Sequence, residues 1–320
     1  MSGARSPIPL LPAPLQRLCD EEAVTDILVN HETEVWTERQ GILQREHDLA
    51  PGMIDLSLER ILTPLGRRLD RLSPMVDARL PDGTRLCAVI APIAANGTCA
   101  AFRLFRRRTF AVKDFDDGSS PEVLAGILDS ITESGANVLV TGATGSGKTS
   151  LVAALLEMAS DDRVVILEDT REISLTHDHT LHLEARPATT EGRGRVTLDD
   201  LLRTAMRLRP DRIVVGEVRG SEALTLLHAM STGHRRCLAT VHANSALDGL
   251  NRLEVLALQG LQGWTTRDVR AMVNAAIGYV VHMSRVPHGR RVVHHIGEVI
   301  VATNGNSDPM TNRLRVIFSR

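Results

Sequence analysis

The chain has 320 residues, which suits two domains better than one, and its 43% apolar and 24% charged residues are a globular composition. Its net charge of −2 disfavours a globally basic nucleic-acid binder, and no apolar run approaches the roughly 18 residues of a membrane span. The cysteines (Cys19, Cys87, Cys99, Cys237) have neither disulfide-frame nor zinc-site spacing, so we expect a cytoplasmic protein.

The first third of the chain predicts a small, sheet-rich α+β domain at 19–110. A Pro-rich stretch at 1–18 is expected to be a flexible arm. Leucine and isoleucine recur at helical spacing over 50–72, and Pro64 should break or bend that helix. Short runs bounded by turn residues predict strands at 26–30, 34–38, 41–45, 75–80, 85–92 and 99–105.

A polar stretch at 111–120 predicts the linker between the domains. Three consecutive arginines, 106–108, precede it. They are typical of a solvated turn, which is the favoured interpretation; a contact with a phosphate or an interface is the alternative.

Residues 121–320 alternate between helix and strand, which predicts an α/β domain with a mainly parallel sheet. Helices are predicted at 121–133, 148–159, 197–208, 221–230, 247–258 and 265–277. Strands are predicted at 138–141, 163–167, 180–183, 212–215 and 238–241, and in the tail 279–319 with a hairpin turn at 287–289.

A glycine-rich turn between the strand at 138 and the helix at 148 has the G-x-x-x-x-G-K-T pattern of a phosphate-binding loop. Backbone amides in such a loop point at phosphate oxygens, and the helix N-terminus adds positive charge. Lys148 is expected to reach the β- and γ-phosphates and Thr149 to ligate Mg²⁺. The predicted nucleotide-binding residues are Gly142, Ala143, Thr144, Gly145, Ser146, Gly147, Lys148 and Thr149.

Three later strands each end in polar residues, where parallel sheets place their chemistry. Glu168, Asp169 and Glu172 follow one strand and could hold Mg²⁺ through water or orient the attacking water; an acidic loop or helix cap is the alternative. Glu217 follows the next and is a candidate general base.

Two further residues of these strand ends are candidate sensors of ATP. Arg219 could sense the γ-phosphate or form an ion pair with an acid. His242 follows the strand at 238–241 and is expected to sense the γ-phosphate. A metal-binding role for His242 is disfavoured, because no second His or Cys lies at ligand spacing.

These clusters, in this order, resemble the type II/type IV secretion ATPase superfamily, in particular its tight-adherence pilus and conjugal-transfer branch. The matching runs are GATGSGKT, ILEDTREI, EGRGRVTLDDLLRTAMRLRPDRIVVGEVRG and TGHRRCLATVHANSALDGLNRLE, with VDARLPDGTRL near the N-terminus. The chain departs from the family at Arg235-Arg236-Cys237 and lacks the four-cysteine zinc insert of the type II branch.

The resemblance implies a RecA-like ATPase domain, a smaller N-terminal domain and a homo-hexameric ring. By position it implies that Glu217 is the catalytic glutamate, that Glu168 and Glu172 form the acidic box, and that His242 belongs to the histidine box. In the family, arginines of the N-terminal domain stabilise charge on the γ-phosphate. The best matches here are Arg85 and Arg103, with Arg79 a weaker one.

The leading hypothesis is a Mg²⁺-dependent ATPase that powers pilus assembly or secretion. It would act at the inner face of the cytoplasmic membrane with membrane platform proteins. The alternative is a nucleic-acid translocase or conjugal DNA-transfer ATPase on the same core. An aromatic content of 2% disfavours a nucleic-acid partner, because few side chains could stack on bases. A non-hydrolysing scaffold is a third hypothesis, which the presence of all the acids disfavours.

Overall fold

The structure is a computed structural model that describes residues 11–39, 41–105, 110–159, 161–186, 188, 193–260, 263–286, 289–300 and 314–320. The chain divides into two compact units, Met1–Arg108 and Thr109–Arg320, called here the N-terminal and C-terminal units. Within the described ranges, no helix combines the length and apolar character needed to cross a bilayer.

The N-terminal unit is an antiparallel sheet with helices against one face. Its strands are β1 (Val24–Asn30), β2 (Glu34–Arg39), β3 (Ile42–Arg45), β4 (Met75–Arg79), β5 (Arg85–Val89) and β6 (Cys99–Arg103), in the order β3-β2-β1-β6-β5-β4. Its helices are α1 (Ala13–Asp20) and α2 (Met53–Leu62). Alternate strand residues such as Ile27 and Phe102 are buried against Leu15 of α1 and Leu58 of α2. One face of the sheet therefore carries the core of this unit.

Prolines explain where α2 ends and lie in the first turn of α1. Helix α2 stops at Leu62 and a 3₁₀ turn follows over Thr63–Leu65, as Pro64 predicts. Helix α1 occupies part of the segment that we predicted to be a flexible arm. It tolerates Pro14 because a proline in the first turn lacks only an N–H that has no helical partner, and its Leu15, Leu18 and Cys19 are buried.

The C-terminal unit is a largely parallel sheet between two layers of helices. Its strands are β7 (Val138–Gly142), β8 (Val164–Glu168), β9 (Thr180–Glu184), β10 (Arg212–Val215), β11 (Leu238–His242), β12 (Tyr279–Arg285), β13 (Arg291–Val299) and β14 (Leu314–Ser319). Their order is β14-β13-β12-β7-β11-β10-β8-β9; β13 and β14 are antiparallel to their neighbours and the other pairs are parallel. This architecture confirms the predicted fold class.

The helices of the C-terminal unit are α3 (Pro121–Glu133), α4 (Lys148–Glu157), α5 (Leu198–Ala205), α6 (Glu222–Ser231), α7 (Ala246–Leu258) and α8 (Thr266–Ala276). Successive residues of each central strand belong to opposite cores, because strand side chains alternate between faces. Leu139 packs in the core with α5–α8, whereas Val138 and Val140 pack in the core with α3 and α4. Both faces are apolar, so these strands are nearly continuous hydrophobic runs.

The segment that we predicted to be a linker contributes to this second core. Val112 and Phe115 lie in a 3₁₀ turn, Val112–Phe115, and are buried among side chains of α3 and α4. Asp116 accepts hydrogen bonds from the backbone amides of Gly118 (2.6 Å) and Ser120 (3.1 Å), which shapes the approach to α3. Val112 and Phe115 thus anchor this otherwise polar stretch in the core of the C-terminal unit.

The strand order brings the sequence-predicted site residues together. The carboxyl ends of β7, β11, β10 and β8 are neighbours in that order, and His242 pairs in register with Gly142. Helix α7 lies close against β7, because a Cβ on Gly249 would fall 2.2 Å from Thr141 Cγ2. A glycine at this point of the helix lets α7 reach the sheet.

We predict that Gly249→Ala destabilises the C-terminal unit by about 1–3 kcal/mol, the usual cost of overpacking a core. The matched control is Gly126→Ala in α3, where an added Cβ meets nothing within 4 Å. Alanine favours a helix over glycine by roughly 0.5–1 kcal/mol, so the control should be neutral or stabilising. Thermal unfolding of both variants would measure this, and an equal effect of the two substitutions would contradict the packing argument.

Candidate active site

The predicted phosphate-binding loop joins β7 to α4 in a conformation that its glycines permit. Gly145 and Gly147 have φ of 72° and 97°, in the left-handed region where a side chain would be strained. A Cβ on Gly142 would lie 2.5 Å from the carbonyl oxygen of Met283, so no other residue fits there without movement. The loop is therefore a tight turn whose amide groups precede the N-terminus of α4.

Lys148, the first residue of α4, is buried and turned back onto its own loop. Its Nζ donates hydrogen bonds to the carbonyl oxygens of Gly142 and Ala143, each 3.0 Å away, and lies 3.4 Å from Nδ1 of His242. Burial lowers the pKa of Lys148 below its usual range, and Glu217 partly offsets this effect. The ammonium group is thus held where a phosphate could replace the carbonyl partners.

Glu168 ends β8 with its side chain only 4% exposed. Its Oε1 accepts hydrogen bonds from the backbone amides of Glu172 (2.9 Å) and Ile173 (3.0 Å). Burial raises the pKa of Glu168 to about 7, although the two amides oppose the shift. Glu168 therefore anchors the loop that follows β8 and fixes the position of Glu172.

Glu172 faces the start of α4. The hydroxyl of Thr149 donates to its Oε2 at 3.4 Å. A hydroxyl beside a carboxylate is a suitable donor set for Mg²⁺, which prefers oxygen ligands. In the part of the chain that the structure describes, no group of three or more His, Cys, Asp and Glu side chains could hold a metal.

Glu217 follows β10 and lies between two cationic or potentially cationic side chains. Its Oε1 is 2.8 Å from Nε2 of His242, and its Oε2 accepts a hydrogen bond from Nη2 of Arg219 at 2.5 Å. Arg219 also lies 3.8 Å from Asp169. Burial, reinforced by the Lys148 ammonium, lowers the pKa of His242, which favours the neutral imidazole.

Three residues that the sequence did not single out shape this site. A Cβ on Gly216 would lie 2.8 Å from Glu168 Cγ, so glycine lets the end of β10 pass close to Glu168. Thr240 donates to the carbonyl oxygen of Gly216 at 2.6 Å. Glu222 accepts from the backbone amides of Arg219 and Gly220 at 2.7 and 2.8 Å. The sequence signals for Gly216 and Glu222 are the glycine directly before Glu217 and the run Gly220-Ser221-Glu222 after it.

The predicted arginines of the N-terminal unit form one row across its sheet. Arg103 pairs in register with Arg85, and Arg85 pairs with Arg79, so all three side chains share one face. Asp26 is the next member of the row and accepts a hydrogen bond from Arg103 Nε at 3.0 Å.

The structure therefore brings one subset of the sequence-predicted residues together within the C-terminal unit: the phosphate-binding loop, Glu168, Glu172, Glu217, Arg219 and His242. Arg85 and Arg103 are neighbours of each other in the N-terminal unit. Arg219 forms an ion pair with Glu217, and its predicted role as a γ-phosphate sensor stays a prediction.

Comparisons with known proteins relate this chain to secretion-system proteins. Residues 12–305 match the family model described as "Type II/IV secretion system protein". The chain is 38% identical over 288 residues to a Mycobacterium tuberculosis protein that is provisionally named a conjugal transfer protein. This match covers 87% of this chain and 81% of that one. It is 31% identical over 297 residues to the type IV secretion system protein PtlH of Bordetella pertussis, covering 82% and 86%.

A similar fold is present in a solved structure, the pilus retraction motor PilT with bound ADP. The match has a TM-score of 0.64 and 20% identity, and it covers 89% of this chain and 82% of that chain.

We predict that Glu168→Gln changes how stability depends on pH. A carboxyl whose pKa rises from 4.5 to about 7 on folding favours the native state at low pH, and this contribution is lost as pH rises through 7. At roughly 1.4 kcal/mol per pKa unit, the wild type should lose on the order of 3 kcal/mol relative to the glutamine variant between pH 5 and 8. Urea unfolding without nucleotide or Mg²⁺ would measure it.

The control for Glu168→Gln is Glu133→Gln, which removes one carboxylate from the exposed end of α3. A difference between wild type and Glu168→Gln that stays the same from pH 5 to pH 8 would contradict the raised pKa.

Proposed function

The chain belongs to the type II/IV secretion system protein family, and from this premise we propose that it is an ATP-hydrolysing motor for protein secretion or pilus assembly. The observation that carries the proposal is the contact series Lys148, His242, Glu217. In this series the Lys148 ammonium lies 3.4 Å from a histidine, and that histidine lies 2.8 Å from a carboxylate. A triphosphate at the loop would present its γ-phosphate to this series.

ATP binding would use the loop amides and Lys148. The Lys148 ammonium would exchange the carbonyl oxygens of Gly142 and Ala143 for oxygens of the β- and γ-phosphates. Thr149 and Glu172 are the residues that would hold Mg²⁺, Thr149 through its hydroxyl and Glu172 through water. The ion would neutralise charge that develops on the phosphates.

Hydrolysis would use Glu217 as the group that orients and deprotonates water. The water oxygen attacks the γ-phosphorus, the bond from that phosphorus to the bridging oxygen breaks, and the proton passes to Glu217. Arg219 donates to one oxygen of this carboxylate at 2.5 Å, and Nε2 of His242 lies 2.8 Å from the other. A neutral His242 adds no positive charge beside this carboxylate.

We extend the proposal to the arginine row of the N-terminal unit. Arg85 and Arg103, with Arg79 beside them, would supply positive charge to the γ-phosphate in the transition state. The register of these residues on one face supports a shared anion as their target.

The assembly we propose is a homo-hexamer at the cytoplasmic face of the inner membrane, acting on secretion proteins of that membrane. Its support is the family and relatives such as PtlH, which is named as a type IV secretion system protein. The relatives named for conjugal transfer favour a second candidate, a motor in a DNA-transfer apparatus. The native mass of the purified protein would test the ring.

Steady-state ATP hydrolysis tests the catalytic assignment. Glu217→Gln keeps the size of the side chain and one acceptor oxygen, which can still receive the hydrogen bond from Arg219, but it cannot accept a proton. We therefore expect turnover to fall by about 10²–10⁴. Glu133→Gln on the exposed end of α3 should leave turnover unchanged. Full hydrolysis by a folded Glu217→Gln protein would refute the role of Glu217.

The same assay tests the arginine row and the second candidate. Arg85→Ala and Arg103→Ala should lower turnover while ADP affinity is retained, whereas Arg45→Ala on the edge strand β3 should change neither. Turnover that rises steeply when single-stranded DNA is added would favour direct translocation of nucleic acid. Turnover that does not change when DNA is added supports a motor that acts on protein partners.

A further inference from the structure

The hairpin of β12 and β13 extends beyond the carboxyl edge of the sheet, next to the phosphate-binding loop. Strand β12 runs parallel to β7, with Met283 in register with Gly142. Arg285 lies two residues further along β12 and pairs with Arg291, the first residue of β13. The register thus carries Arg291 past the end of β7 to the level of the loop.

The side chain of Arg291 covers the last glycine of the loop and reaches the first turn of α4. A Cβ on Gly147 would lie 2.8 Å from Arg291 Cδ and 3.3 Å from its Cβ. The Nη1 atom donates to the hydroxyl of Ser150 at 3.5 Å. Arg291 is exposed to solvent, so its guanidinium can also contact a molecule bound at this edge.

The charges at this helix end favour an anion. Lys148 and Arg291 both lie at the N-terminus of α4, where the helix dipole is already positive, and the first turn of α4 contains no acidic residue. Glu172, 3.4 Å from the Thr149 hydroxyl, offsets part of this positive charge. The two cations and the helix N-terminus together would attract a bound polyanion such as the phosphate chain of a nucleotide.

We propose that Arg291 binds the α-phosphate of the nucleotide, an inference that rests on the function proposed above. The γ-phosphate end of the site is marked by Lys148, His242 and Glu217. Ser150 lies one residue beyond Thr149 in α4, on the side where loop amides receive the α- and β-phosphates. A planar guanidinium there can donate two parallel hydrogen bonds to phosphate oxygens.

The experiment is a calorimetric titration of the full chain with ADP and with ATP, without turnover. Arg291→Gln keeps a polar side chain with an aliphatic stem that can cover Gly147 but removes the charge. We expect it to bind both nucleotides about tenfold more weakly, because a charge-assisted hydrogen bond is lost. Equal weakening of ADP and ATP identifies a phosphate that both contain. Arg291→Lys should recover part of the affinity.

The matched control is Arg315→Gln, which removes one exposed arginine from β14 in the same unit and should bind nucleotide like the wild type. Unchanged affinity of Arg291→Gln beside a wild type that binds overturns the inference alone. Weakening of ATP but not ADP also overturns it, because the contact would then be to the γ-phosphate. A wild type that binds neither nucleotide overturns both this inference and the proposed function.

Discussion

The position of β11 between β7 and β10 is the constraint on which the site depends. It places His242 between the strand that leads to Lys148 and the strand that leads to Glu217, so one imidazole contacts both. The close approach of Gly249 to Thr141 holds α7 against the same edge of the sheet. Packing of the apolar sheet therefore sets the distance between polar groups such as Lys148 and His242, which lie 94 residues apart in the chain.

Burial of these groups gives the site its electrostatic character. Desolvation lowers the pKa of Lys148 and of His242 and raises that of Glu168, so each group is pushed toward its neutral form. In the proposed function, the negative charge of a bound triphosphate would oppose the lowered pKa values of Lys148 and His242. Nucleotide binding would then be coupled to protonation of these two side chains.

The sequence was sufficient to predict most of the strands, the parallel sheet and the residues at its carboxyl edge, because apolar periodicity and the phosphate-loop pattern are local signals. Strand order is not local, so the contact of His242 with both Lys148 and Glu217 needed the structure. Backbone-mediated roles, such as that of Glu168 toward the amides after β8, leave no sequence pattern. Helix α1 and Phe115 were missed because prolines and acids surround their few apolar residues.

The central claim is that the loop ending at Lys148 forms a hydrolytic site with Glu217 and His242. Phosphate release from ATP with Mg²⁺, compared between the wild type and Lys148→Ala, tests it most directly. The account predicts turnover by the wild type and almost none by the folded variant, because the variant lacks the ammonium that the loop carbonyls hold. Equal phosphate release by the two proteins, or none by the wild type, would contradict it.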